Sequence, residues 1–198
     1  MNGKYTIIFI GPSGCGKGTQ VGLLQKYMEE NDQEKRSVFY LESGKHFRDF
    51  ISQSGYTAKL SKKVMNTGEL QPSFLAVHVW SHLMIEQMDD NKHLIIDGTP
   101  RLLDEAKVLD GAFSFYGIEK VFVIHFNVSD DWSRERLSER GRFDDKDKEE
   151  VEKRLTWYKK EVLPIVDYFR DAKRYEVLDI NGEQTIEEVH QDIIKQIF

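Results

Sequence analysis

Apolar and polar positions in this chain follow two rhythms. Five short runs, over 5–10, 37–41, 93–97, 120–127 and 174–179, are rich in Ile, Val, Leu and Phe. Runs of that length and composition predict strands buried on both faces. Between them the apolar spacing changes to three and four. Val21, Leu24 and Met28 share one face of a predicted helix over 16–30, because residues three or four apart stack on one side of a helical turn. A long helical region over 43–90 is interrupted at Gly55, Gly68 and Pro72, residue types that break helices. Further helices are expected over 101–112 and 130–140. Another begins near 145, with Val151, Leu155, Tyr158 and Val162 as its stripe. Asp147 and Glu150 have capping-box spacing at its start, and Pro164 is expected to kink or end it. The last helix carries Ile186, Val189, Ile193 and Ile197.

Strand–helix alternation with apolar strands implies an α/β domain whose parallel sheet is covered on both faces. Ligands of such sheets sit beyond the carboxyl ends of the strands, so the residues that follow each strand carry the search for function. A length of 198 residues suits one domain with its own core. With 39% hydrophobic and 31% charged residues, neither a disordered chain nor a membrane span fits. Asp and Glu number 34 against 28 Lys and Arg, a net charge of -6, which argues against a nucleic-acid partner. A single cysteine excludes an intrachain disulfide and a cysteine-based zinc cluster, and suits a reducing compartment. The apolar run over 7–10 is too short for a signal-peptide core. A soluble cytoplasmic protein with no membrane partner is expected. The six histidines show no metal-ligand spacing, and Trp80, Trp132 and Trp157 read as core or interface filler.

The first strand leads into Gly11-Pro12-Ser13-Gly14-Cys15-Gly16-Lys17-Gly18-Thr19. This contains G-x-x-x-x-G-K between a strand and a helix, the setting a phosphate-binding loop requires. Glycines let successive backbone N–H groups surround an anion, the following helix adds its positive end, and Lys17 reaches the terminal phosphates. Gly18 stands where such loops usually place the hydroxyl that binds Mg²⁺, and Thr19 comes one place later. Magnesium must then be held by phosphates, water and a remote carboxylate. Asp97, at the end of the third strand, is the candidate, acting through water; a helix cap or turn residue is its other reading. Cys15 is either a small filler or a thiol activated by the loop dipoles and Lys17.

The loop 11–20 resembles that of adenylate kinases and related nucleoside monophosphate kinases, and the resemblance continues in order along the chain. Glu42-Ser43-Gly44-Lys45-His46-Phe47-Arg48 resembles their Ser-Thr-Gly-Asp-x-x-Arg segment. Thr67-Gly68-Glu69-Leu70-Gln71-Pro72 resembles Gly-x-Leu-Val-Pro, and Asp97-Gly98-Thr99-Pro100-Arg101 resembles Asp-Gly-Phe-Pro-Arg. The stretch 136–145 and the Arg154-Leu155 helix with Tyr158 match the region around the lid. The resemblance implies a P-loop NTPase fold: a three-layer α/β/α domain with a five-stranded parallel sheet in the order 2-3-1-4-5. It implies a core of 1–42, 72–139 and 146–198, a small helical monophosphate-binding insert over 43–71, and a minimal lid over 140–145. The implied reaction is Mg²⁺-dependent, reversible transfer of the ATP γ-phosphoryl group to a nucleoside monophosphate, AMP first among them. A monomer is expected by analogy.

Such chemistry needs alignment and charge neutralisation more than covalent help, and guanidinium forks suit phosphate oxygens. By resemblance, Gly14, Cys15, Gly16, Lys17, Gly18 and Thr19 hold ATP, with Arg140 on its phosphates, Arg136 on its adenine and Gln184 nearby. Arg48 and Arg101 hold the monophosphate, and Arg142 and Arg154 bridge the transferring group. Ser43, Glu69, Leu70, Gln71, Gly98 and Glu105 complete the acceptor pocket. Asp144 and Asp145 orient arginines or cap a helix. Lys45 and Thr99 depart from the family pattern, and Glu105 occupies the place of the glutamine that reads the acceptor base. An ionised carboxylate only accepts hydrogen bonds, so the swap bears on base choice, unless Glu105 faces solvent. GMP, UMP or CMP as acceptor remain alternatives, as do a P-loop kinase for a non-nucleotide alcohol and a nucleotide-binding scaffold without turnover.

Overall fold

A computed structural model describes residues 1, 3–141, 145 and 147–198. The five apolar runs form β1 (Thr6–Ile10), β2 (Ser37–Glu42), β3 (Lys92–Asp97), β4 (Val121–Asn127) and β5 (Tyr175–Asn181). They pair in parallel in the order β2-β3-β1-β4-β5, as the resemblance implies. Alternate side chains of β1 enter opposite layers. Ile8 and Ile10 join Trp80, Phe113 and Phe169 on one face, while Ile7 and Phe9 join Leu24, Met28 and Ile193 on the other. Burial on both sides explains why the central strands β1, β3 and β4 lack the alternating polarity of a half-exposed sheet, whereas edge strand β5 exposes Glu176, Asp179 and Asn181.

Helices cover both faces: α1 (Lys17–Asn31), α2 (Ser43–Ile51), α3 (Tyr56–Asn66), α4 (Ser73–Gln87), α5 (Leu103–Phe115), α6 (Asp130–Arg140), α7 (Lys148–Trp157), α8 (Leu163–Asp171) and α9 (Ile186–Ile197). The breaks expected at Gly55, Gly68 and Pro72 separate α2, α3 and α4. No helix among the described residues is long and apolar enough to cross a membrane.

Two local expectations are corrected. Pro164 does not end its helix. A π turn (Tyr158–Val162) joins α7 to α8, and Leu163 N–H bonds the Tyr158 carbonyl across it. Pro164 then falls in the first turn of α8, where a missing N–H costs no helical bond. Nor is there a capping box between Asp147 and Glu150. The Asp147 carboxylate caps α7 by accepting from Glu149 N–H. A capping box is present at α9, between Thr185 and Glu188.

Candidate active site

All five strands point their carboxyl ends at one edge, and a cleft of about 930 Å³ opens there. Its floor is the loop between β1 and α1. Gly14 and Gly16 have φ of 88° and 94°, the left-handed region that glycine enters without strain. A Cβ at Gly14 would also lie 2.8 Å from the Ser133 carbonyl oxygen. Lys17 opens α1, and its ammonium donates to the Gly11 and Pro12 carbonyls at 2.8 and 3.0 Å. Gly18 and Thr19 line the cleft beside it. Cys15 turns beneath the loop into the apolar layer with Phe9 and Phe126. Burial pushes its thiol up from its ordinary pKa, more than Lys17 pulls it down. The activated-thiol reading therefore gives way to the filler reading.

The arginines arrive from separate elements. Arg48 lies on α2, where its guanidinium donates to Glu42 Oε1 at 2.8 Å. Arg101 follows β3, donates from Nε to the Gly98 carbonyl at 2.7 Å, and stands 5.5 Å from the centre of the Trp157 ring. Burial depresses its pKa against the pull of Glu105 and Asp97, with Arg154 and Arg48 adding to the fall. Arg140 ends α6 and Arg154 lies in α7, and both bind Asp145. Arg140 donates to Asp145 Oδ2 and Oδ1 at 2.7 Å each, and Arg154 to Oδ1 at 2.8 Å. Burial raises the Asp145 pKa, but these bonds outweigh it and hold the carboxyl below the usual range. Asp145 thus has the orienting position expected of it. Arg142 and Asp144 lie outside the described residues.

Arg136 lies on the opposite flank, 4.6 Å from the centre of the Trp132 ring, a cation–π distance. Gln184 also lines the cleft, but its amide donates to the Asn181 carbonyl and to Asp192, at 2.9 Å each. On the acceptor side, Ser43, Glu69, Leu70, Gln71 and Gly98 all border the cleft. The Gln71 side chain is engaged with Ser61, giving and taking bonds of 3.0 and 2.8 Å. Gly98 has φ of 84°, and a Cβ there would lie 2.7 Å from Ser43 Oγ. Lys45 is exposed and does not border the cleft. Glu105 is 2% exposed and lines the cleft, which removes the reading in which it faces solvent.

Asp97 closes β3 at the mouth of the sheet, and the Tyr40 hydroxyl donates to its Oδ2 at 3.3 Å. A fixed carboxylate beside the phosphate loop fits a hard, water-carrying cation such as Mg²⁺, whereas Gly18 offers no ligand. No cluster of three or more His, Cys, Asp or Glu that could hold a metal occurs among the described residues.

Among the cleft residues that the sequence reading missed, four bear on the chemistry. Trp132 and Trp157 are more than filler: both border the cleft and each lies against an arginine, although Trp157 also packs against the apolar core. The Trp157 indole N–H also donates to the Gly68 carbonyl at 3.0 Å. Tyr40 and Glu42 were read only as parts of a strand or motif. For Trp132 the available signal was Arg136 four residues on along the same helix; no spacing in the sequence links Trp157 to Arg101.

A glycine-rich loop feeding a helix at the carboxyl edge of a parallel sheet, ringed by cations from distant segments, defines a phosphotransferase of the P-loop class. The family model described as adenylate kinase matches residues 9–174. An adenylate kinase of Azobacteroides pseudotrichonymphae is 30% identical over 190 residues, covering 94% of each chain. Adenylate kinase 1 of a Nostoc species is 30% identical over 187 residues, covering 94% of this chain and 95% of its own. One from Corynebacterium glutamicum is 28% identical over 191 residues, covering 96% and 98%. The chain belongs to the adenylate kinase family, and so to the nucleoside monophosphate kinases.

Proposed function

We propose that this enzyme transfers the γ-phosphoryl group of ATP reversibly to AMP, giving two ADP, with Mg²⁺. One observation carries the reading: Lys17, Arg48, Arg101, Arg140 and Arg154, from five separate segments, border a single cleft. Two polyanions laid end to end would need that many cations. A hydroxyl acceptor would instead require a carboxylate base at the transfer point, whereas an AMP phosphate oxyanion is already the nucleophile.

In this reading the loop 13–19 and the start of α1 hold the β- and γ-phosphates, while Arg136 and Trp132 face the ATP base. Arg48 and Arg101 hold the acceptor phosphate. Arg140 and Arg154, fixed by Asp145, meet the transferring group, as Arg142 does by resemblance. Asp97 would hold Mg²⁺ through water, with Tyr40 steadying the carboxylate; when bound, the ion neutralises charge on the ATP phosphates. Segment 43–71 serves as the acceptor arm, and 140–145 as the minimal lid. Exclusion of water, alignment and fixed positive charge together lower the barrier.

A coupled assay with ATP, Mg²⁺ and a panel of AMP, GMP, UMP, CMP and dAMP tests the reading. AMP is expected to turn over at neutral pH, and Lys17→Met to lose about a hundredfold or more in kcat. ATP binding without transfer to any monophosphate would reject an enzyme in favour of a scaffold.

A further inference from the structure

Glu105 sits in the first turn of α5, with its carboxyl tied at one end. Its Oε2 accepts from Thr99 Oγ1 at 2.9 Å and from Arg101 N–H at 3.3 Å. Thr99 is itself buried, at 3% exposure, and both residues line the cleft. Both bonds fall on Oε2, and among the described residues no hydrogen bond reaches Oε1, which leaves that oxygen for a ligand.

A single free oxygen reads a base according to its proton. Ionised, it only accepts; protonated, it donates. The pairing edge of adenine presents a bare N1, an acceptor, beside the N6 amine. That of guanine presents N1–H and an N2 amine, both donors. An ionised Oε1 therefore repels adenine N1 and suits guanine, and a protonated one does the reverse. We propose that Glu105, positioned by Thr99, selects the acceptor base through its own protonation, taking adenine when neutral and guanine when ionised. This rests on the reading that the cleft binds a nucleoside monophosphate.

The surroundings bring that proton within reach. Burial raises the Glu105 pKa, and the bonds from Thr99 and the Arg101 amide, with the Arg101 guanidinium, offset only part of the rise. Arg101 is the charged group that acts on Glu105 directly; around Arg101 stand Asp97, Arg48 with its partner Glu42, and Arg154, and the carboxylates of Glu69 and Glu150 line the same cleft. The faces of α4 and α8 against α5 are apolar, built from Trp80, Met84, Ile165 and Phe169. An acceptor phosphate on Arg48 and Arg101 adds negative charge nearby, which favours neutral Glu105 further.

The test measures kcat/KM for AMP and for GMP from about pH 5.5 to about pH 8.5 in wild type, Glu105→Gln and Thr99→Val. In wild type the AMP-to-GMP ratio should fall about tenfold or more as pH rises through the Glu105 pKa. Glu105→Gln should hold a flat, AMP-favouring ratio. Thr99→Val should move the midpoint to higher pH, because the lost hydroxyl had favoured the ionised carboxylate. Titration calorimetry in buffers of different ionisation heat gives a readout independent of turnover. Above the Glu105 pKa, AMP binding to wild type should take up nearly one proton more than binding to Glu105→Gln. A wild-type ratio that stays flat, or one that titrates equally in Glu105→Gln, overturns the selection while leaving phosphoryl transfer intact. Equal proton uptake by the two proteins overturns it as well, even if no monophosphate turns over and the reading of function fails with it.

Discussion

Glu42 and Asp145 each hold cleft arginines by short ion pairs, and their removal should act in opposite directions. A monophosphate that settles on Arg48 has to displace the Glu42 carboxylate, which lies 2.8 Å from that guanidinium. The pair is partly exposed, so its strength is modest. Glu42→Gln should lower the monophosphate KM by up to about fivefold, read from initial rates at saturating ATP; an unchanged or higher KM would show that Glu42 organises Arg48 instead. Asp145 faces no such competition, since its side chain is 1% exposed between Arg140 and Arg154. Asp145→Asn should lower kcat about tenfold to a hundredfold with smaller changes in KM, by loosening groups that align the transferring phosphoryl. The same clamp sets a pH dependence. The folded Asp145 pKa is depressed, so its contribution to stability is complete above the ordinary carboxylate value of about 3.9 and is lost as pH falls through the lower folded value. The melting-temperature advantage of wild type over Asp145→Asn should therefore hold steady from about pH 7 to about pH 5 and shrink as pH falls below about 4.

Between elements, the π turn is the least regular junction and one of the most firmly anchored. Tyr158 at its start bonds His125 Nε2 at 3.1 Å, and His125 Nδ1 bonds Asp179 Oδ1 at 2.8 Å. That chain ties the helix carrying Arg154 to the ends of β4 and β5. Tyr158→Phe should cost about 1–2 kcal/mol in urea denaturation, because buried His125 loses its second partner; a cost near zero would mean that the hydroxyl adds nothing to the anchor. Nothing in the sequence foretold this turn. The stripe of Leu155, Tyr158 and Val162 keeps helical spacing straight through it, and Pro164 argued for a kink or a stop at its own position rather than a widened turn before it. The central strands were legible because their runs are almost wholly apolar, β5 less plainly because Glu176 and Asp179 interrupt it, and the phosphate loop because glycine and lysine occur at mechanistic spacing. Trp132 and Trp157 misled because an aromatic ring on a helix looks the same whether it meets core or cleft. The Tyr40–Asp97 and Thr99–Glu105 bonds depend on strand register and on a turn, neither of which a linear pattern displays.

At the scale of the whole molecule, the cleft joins the P-loop, the acceptor arm and the α6–α7 region, so one ligand spanning all three should stabilise them together. A dinucleoside pentaphosphate at about a hundred times its Kd should add about 2.7 kcal/mol to the unfolding free energy, seen as a higher melting temperature. Added salt should weaken that gain, because the contacts are ionic. Hydrogen exchange should slow in α2, α3, α6 and α7 together; protection confined to the P-loop would place the second nucleotide elsewhere. The parallel sheet also separates two kinds of duty. At the edge opposite the cleft, Asp32 accepts from Arg36 at 2.8 Å, and His93 Nδ1 accepts from the Tyr5 amide at 3.1 Å. These buried polar groups brace the starts of the strands, and no cleft residue takes part. Mutational drift in the pocket, such as the exchange of one base-reading side chain for another, can thus proceed without touching the foundations, and descendants of this chain are free to change what they phosphorylate while inheriting the same architecture.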